Sequence, residues 1–403
     1  MQFDQDGDTG FWIDDRDHHA FLRQDAQRQI DVFRQMIRRD GGFDLPGWDG
    51  SPLPDAPQEL HTTTRMVHSF ALVKCFGFDN CDAVIDAGMD YIWQVHRDAS
   101  HGGYFWSVDR NKSAADDSKL AYGHMFVLLA AATAKQAGHP DADRLLMDVT
   151  EVLDTYFWEE SHGLYADEFN RDWTPFSTYR GMNANMHGVE AHLAAFEATG
   201  QTRYLDRAGR IIDFFVHRMA PDNDWRLPEH YTDNWTVDRD YAGNPMFRPA
   251  GTTPGHSLEL GRLTLQHWDL AGRPDNAAPM AARRLISQAI TDAWRPDGGF
   301  IYTLKDGKPD RTVRYWWPVA EAIGALAALI KLDRRPSDEA LYRSFWQFAK
   351  SHLIDPDHGG WFPELDDAGH PAQHQFVGKP DIYHALQADL LPLTPHLSRA
   401  TTS

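Results

Sequence analysis

Two kinds of amphipathic stretch alternate along this chain. Apolar positions recur at helical spacing over residues 17–39, 80–97, 140–158, 201–218, 274–294 and 335–353, and most of these stretches carry charge on one face. A second set, over 61–77, 117–138, 181–199, 254–271, 313–331 and 378–395, is more apolar and Ala-rich, as in Met125 to Ala134 and Ala320 to Ile330. A helix with one charged side belongs at a surface, and one that is apolar nearly all round belongs inside. Between the two sets lies a recurring turn: Asp40-Gly41-Gly42-Phe43, His101-Gly102-Gly103-Tyr104, His162-Gly163-Leu164-Tyr165, Asp297-Gly298-Gly299-Phe300 and His358-Gly359-Gly360-Trp361. The first glycines, at 41, 102, 163, 298 and 359, are spaced 61, 61, 135 and 61 residues apart, and a degenerate copy near Asp224-Trp225-Arg226-Leu227 divides the long interval. That makes six units of about sixty residues.

Six polar and six apolar helices bury their stripes by closing into a ring, the apolar set inside. An open solenoid fits the period too, but it needs solvent-facing caps, and the last stretch (378–395) is as apolar as the others. The expected fold is therefore all-α, an (α/α)6 barrel of six inner and six outer helices joined by short Gly-aromatic β-hairpins, with residues 1–403 as one catalytic domain. Long alternating strand runs are missing from the pattern, which argues against a βα-barrel. Residues 221–253 are the longest irregular insertion and a candidate lid.

Composition narrows the partners. A formal net charge of −20 argues against nucleic acid and anionic membranes. The longest apolar run, Ala320 to Ile330, contains Glu321 and is too short to span a bilayer, and the acidic start of the chain lacks a signal-peptide pattern. The two cysteines, Cys75 and Cys81, match neither a zinc nor a CxxC spacing and read as reduced thiols. A cytoplasmic protein, monomer or homo-dimer, is expected. The 14 Trp, 13 Tyr and 22 Phe suit a large core and also sugar-stacking faces.

Polar and aromatic groups mark the start of each inner stretch: Arg65; Tyr122 and His124; Asn183 and His187; His256 and Glu259; Trp316, Trp317 and Glu321; Asp381 and His384. Singly, each has a structural explanation. Together, Arg65, Tyr122, His187, His256, Trp317 and His384 are spaced 57, 65, 69, 61 and 67 residues apart, in register on six helices that would open on one pocket. Three histidines with a glutamate could hold a metal, but they lie on different helices without an HxH or HxxxH pair, so no metal is expected. Glu259 and Glu321 could serve a glycoside hydrolase, and a non-catalytic sugar-binding repeat protein fits as well. Paired imidazoles suit proton transfer at carbon near neutral pH, with arginine stabilising an enediolate oxygen.

The motifs RMxxxFAL, YGHxFVLLA, NxNMHxxEA, PGHSLELGRL, WWPxAEAI and KPDIYHALQA resemble the N-acylglucosamine 2-epimerase superfamily over residues 20–395, and look closest to its aldose–ketose isomerase branch. The resemblance implies an (α/α)6 barrel that opens a sugar ring and interconverts products through a cis-enediolate, without cofactor, on a monosaccharide substrate. It implies that His256 and His384 are the acid/base pair, and that Arg65, Asn183, His187 and Glu259 hold the open chain. Tyr122, Trp316, Glu321 and Asp381 would line or support the pocket. D-mannose and D-fructose are the expected pair. C2 epimerisation and isomerisation of sulfoquinovose are the alternatives, the latter needing a cation for the sulfonate, for which Lys379 or Arg239 would be available.

Overall fold

Both sets of amphipathic stretches are helices, and they alternate. In this computed structural model the described residues are 10–53, 57–241, 243 and 248–398. The helices run α1 (Arg16–Arg34), α2 (Leu60–Cys75), α3 (Asp82–Tyr91), α4 (Ala121–Gln136), α5 (Ala142–Val152), α6 (Met182–Thr199), α7 (Thr202–Ile212), the one-turn α8 (Ala220–Asp222), α9 (Pro254–Leu270), α10 (Ala278–Ala293), α11 (Trp316–Leu332), α12 (Pro336–Phe348) and α13 (Tyr383–Leu393). The inner set packs in a ring, α2 on α4, then α6, α9, α11, α13 and back to α2. Each of α3, α5, α7, α10 and α12 lies on the inner helix that precedes it in the chain, and α1 covers α13. That last contact separates a barrel from a solenoid, because the apolar final helix needs a partner and finds it at the other end of the sequence. Burial follows the sequence pattern: every residue from Trp316 to Ile330 of α11 is buried, while α7 buries only Tyr204, Ala208, Ile211 and Ile212.

The repeat has a common local design. After α3, α5, α7 and α12 the helix widens into a π-type turn at Ile92–His96, Leu153–Phe157, Asp213–Met219 and Ala349–Leu353. The chain then doubles back at the Gly-aromatic turn, so that Ile37 pairs with Phe43, Arg97 with Tyr104, Trp158 with Tyr165, Trp294 with Phe300 and Ile354 with Trp361. Gly103 shows why glycine stands there. Its φ is +68°, and a β-carbon would lie 2.7 Å from the Trp173 ring and 2.9 Å from His124 Nε2. The degenerate copy keeps the left-handed backbone without glycine, with φ of 53° at Asp224 and 61° at Trp225.

Neighbouring repeats then clamp the inner helices. The first N–H groups of α2, α4, α6 and α11 donate to carbonyls in the following repeat: Leu60 to Trp106 (2.7 Å), Ala121 to Asp167 (2.8 Å), Met182 to Glu229 (3.0 Å) and Trp316 to Pro363 (3.2 Å). Helix N-termini need such acceptors, and these ones bring the openings of the inner helices to one end of the ring. Cys75 and Cys81 are free. Among the described residues no helix is long and apolar enough to cross a membrane.

One buried contact carries a test. Asp25 of α1 and Asp389 of α13 share Gln29, whose Nε2 lies 3.2 Å from Asp25 Oδ2 and 2.7 Å from Asp389 Oδ2. Burial raises both carboxyls, and Asp25 adds to the rise at Asp389. A carboxyl raised on folding favours the folded state at low pH and loses that contribution as pH climbs toward its folded value. Asp389→Asn therefore raises Tm at about pH 8 and has a smaller effect near pH 4, below the ordinary carboxylate range. A pH-independent effect in thermal melts would refute the account of carboxyls raised by burial.

Candidate active site

The site is built from six helix openings. His256 lies in the first turn of α9, after Pro254 and Gly255. Gly255 is required for packing, since a β-carbon there would collide with the Trp317 ring of α11. With that space open, the Trp317 ring lies between the two histidines named from the sequence, 5.2 Å from the ring of His256 and 5.7 Å from that of His384. Residues 128 positions apart thus share one indole.

Each histidine is backed by a carboxylate. His384 Nδ1 donates to Glu321 Oε1 at 2.8 Å, and Arg262 Nη2 donates to Glu321 Oε2 at 2.9 Å. His256 Nδ1 lies 3.0 Å from both oxygens of Glu229. An ionised carboxylate only accepts, so the proton sits on Nδ1 in both rings and Nε2 is the nitrogen left for chemistry. Burial alone would raise the Glu321 carboxyl. Arg262 and the His384 hydrogen bond outweigh it and hold Glu321 well below the usual carboxylate range.

Arg65 of α2 donates Nη1 to Asp381 (2.8 Å) and Nη2 to the Tyr122 hydroxyl (2.9 Å). Its guanidinium lies 4.5 Å from the Phe126 ring and 4.7 Å from that of Tyr383. Burial disfavours this cation, but Tyr122 and Asp381 more than compensate and keep it charged. Asp381 stands just before α13 and accepts the Tyr383 N–H, so the predicted stretch 378–395 is helical only from Tyr383. Trp316 is buried, its ring 6.2 Å from that of His384.

His187 lies edge-on to Tyr122 at 5.2 Å, with Nδ1 3.6 Å from Glu259 and 3.7 Å from Glu190. Burial pushes this imidazole down to about 4, so it is neutral at pH 7 and these contacts are not ion pairs. Glu259 is fully buried, and burial, then Glu321 and Glu190, push its carboxyl well above the usual range. Several buried polar atoms at these helix openings have no hydrogen-bond partner among the described residues: Arg65 Nε, Asn183 Oδ1, His187 Nδ1 and both oxygens of Glu259. Leaving so many buried groups unpaired is costly unless a polar ligand satisfies them.

Other sequence expectations resolve differently. His124 faces the repeat turn: its Nδ1 donates to the Leu120 carbonyl at 2.7 Å and its Nε2 accepts the Tyr104 N–H at 3.1 Å. Asn185 does the same for Tyr165 one repeat later. Lys379 is a buried clip on Asp355 at 2.7 Å, and Arg239 bonds Asn223 at 2.8 Å, so neither cation stands with the histidines. Two triads, His187–Glu190–Glu259 and Glu259–Glu321–His384, have potential ligand atoms within 4.8 Å of one another. In both, one carboxylate is already engaged, Glu190 by the Tyr383 hydroxyl and Glu321 by Arg262 and His384. The same engagement removes Glu321 as a nucleophile or base in a two-carboxylate hydrolase.

The structure adds residues that sequence reasoning missed. Glu190 repeats, with His187, the His-x-x-Glu spacing of His256 and Glu259. Arg262 is a buried cation three residues after Glu259 on α9. Both were signals available in the chain. His61 stacks on Trp106 at 5.1 Å, one turn before Arg65. Glu229 lies in the irregular insertion at the place that Trp106 and Asp167 hold in the preceding repeats, so the period marks its position but not its role.

Comparison with known proteins follows the same lines. The family profile described as N-acylglucosamine 2-epimerase (GlcNAc 2-epimerase) matches residues 41–388. A protein of Thermobifida fusca named D-mannose isomerase is 39% identical over 393 residues, covering 95% of this chain and 96% of its own. A D-mannose isomerase of Pseudomonas cannabina pv. alisalensis is 38% identical, covering 95% and 94%. A solved structure described as a crystal structure of D-mannose isomerase superposes with a TM-score of 0.87 at 32% identity, over 93% of this chain and 97% of that one.

Proposed function

Because this chain belongs to the N-acylglucosamine 2-epimerase family, we propose that it is a cofactor-independent aldose–ketose isomerase that interconverts D-mannose and D-fructose. The observation that carries this reading is the pair of carboxylate-backed histidines on one indole, facing a set of unpartnered buried polar groups suited to a polyol. The names of the relatives at 38–39% identity support the substrate. The whole of residues 1–403 is read as one catalytic domain, acting in the cytoplasm as a monomer or homo-dimer.

In the proposed reaction one histidine shuttles protons between O1 and O5 to open the ring. A histidine Nε2 then removes the proton from C2 of the open-chain aldose, and the electron pair moves through C1 to O1. Arg65, whose Nε lacks a partner among the described residues, stabilises the negative oxygen, while Asn183, His187 and Glu259 hold the remaining hydroxyls. Transfer of the O2 proton to O1 and return of a proton to C1 leave a hydroxymethyl group at C1 and a carbonyl at C2, which is the ketose. The flat face of Trp317 lies beside the reacting carbons, with Trp316 edge-on to His384.

Mannose incubated with the protein in deuterium oxide gives fructose carrying deuterium at C1. Glucose carrying deuterium at C2 would mark an epimerase instead, and no exchange into either sugar would reject both. Dialysis against EDTA leaves the rate unchanged, and its loss would overturn the metal-free reaction.

A further inference from the structure

We propose that Glu229 is a positioning residue that fixes His256 as its Nδ1–H tautomer and turns Nε2 toward the sugar. This rests on the isomerase reading for its consequence in turnover, though not for its geometry. Glu229 is buried, and three contacts pin it. Its carbonyl accepts the first N–H of α6, from Met182, at 3.0 Å. Its Oε1 accepts the Thr253 N–H at 3.2 Å, at the start of α9. Both of its oxygens then face His256 Nδ1 at 3.0 Å. The main chain of Glu229 is thus held at the start of α6, and its carboxylate at the start of α9, before it meets the imidazole. A ring hydrogen-bonded through Nδ1 cannot present that nitrogen to substrate, so the geometry selects the reacting atom.

The two dyads differ in one respect. Glu321 is shared between His384 and Arg262, so its orientation has two supports within the barrel wall. Glu229 takes its support from the insertion between α8 and α9. It borders a cavity of about 270 Å³ lined by three cations, Arg226, Arg239 and Lys305, and by four aspartates. That cavity gives a formate-sized molecule space to reach the place of the carboxylate if the side chain is removed.

The test combines kinetics with spectroscopy. Glu229→Ala lowers kcat by at least about 10²-fold, as loss of a tautomer-setting carboxylate does elsewhere, with KM little changed. Formate restores part of that kcat, because it enters the vacated place; it does nothing for the native protein. Glu229→Gln, whose amide oxygen still accepts the Nδ1–H, retains more activity than the alanine variant. A Glu229→Ala protein with native kcat, or one that formate does not rescue, overturns the proposal.

The second measurement needs no variant of Glu229 to fold. Long-range ¹H–¹⁵N spectra of the native protein at about pH 8, above the ordinary histidine range, with His256 assigned by its loss in His256→Ala, show a protonated Nδ1 and a bare Nε2. A bare Nδ1, or protons on both nitrogens, overturns the proposal. The expected tautomer in a protein that does not turn over mannose would count against the isomerase reading and leave the role of Glu229 standing.

Discussion

Replacing His256 or His384 by alanine lowers mannose–fructose interconversion by about 10²–10⁴-fold each, the range that positioned acid–base groups supply. Thermal melts of the two variants stay near the native value, because the two side chains lie at the edge of the core (13% and 7% exposed) and each has one carboxylate partner through Nδ1. The double variant is no slower than the slower single variant if both groups serve one proton relay, since members of a catalytic unit are not additive. Deuterium exchange separates their parts. A variant lacking the C2 base leaves the C2 hydrogen of mannose in place. A variant lacking only the group that delivers to C1 still exchanges C2 with solvent while forming no fructose. Native turnover in either variant would remove that residue from the reaction.

The ring of helices was legible because its causes are periodic. A 61-residue spacing of Gly-aromatic turns and two grades of helix apolarity are repeated often enough that chance is a poor explanation, and the observed helices, with their π-type turns, start and end within about five residues of the predicted stretches, the largest gaps being at the end of α1 and at the start of α13, where Pro380-Asp381 delays the first turn to Tyr383. The same register located Arg65, Tyr122, His187, His256 and His384 at the openings of inner helices. Register cannot tell which way a side chain points within one turn. His124 lies two residues from Tyr122, yet it satisfies a backbone N–H of the repeat turn. Register also says nothing of which residue type matters at an equivalent place. Glu229 stands where Trp106, Asp167 and Pro363 stand in other repeats, each accepting the first N–H of an inner helix, and it enters the site where the chain folds back to pair Arg180–Gly181 with His230–Tyr231. Lys379 was available as a cation in the sequence. Its three acceptors, from Trp48, Asp355 and Gly359, appear only in three dimensions.

The largest effect on stability is expected at Arg262. Its side chain is 1% exposed, donates to Glu321 at 2.9 Å and to Gln266 at 3.3 Å, and is the cation closest in sequence to Glu259 on the same helix. Glu190, Glu259 and Glu321 all act on it electrostatically. Arg262→Met keeps the volume and leaves Glu321 a buried charge supported only by His384. Breaking a buried pair from one side costs about 3–5 kcal/mol, read as a lower urea midpoint at unchanged slope. The sign of the pH dependence is a stricter check than the size. In the native protein Glu321 is held below the usual carboxylate range, so its contribution is present above that range and is lost as pH falls through its folded value. Without Arg262 burial dominates and the carboxyl is raised instead, so the variant gains stability relative to native as pH is lowered from about 7 to about 5, the direction expected when a raised acid takes up a proton on folding. The gap between native and variant midpoints therefore narrows on acidification. A gap that stays constant or widens would mean that Glu321 carries no charge in the native barrel, and the charge-backed role given to His384 would fall with it.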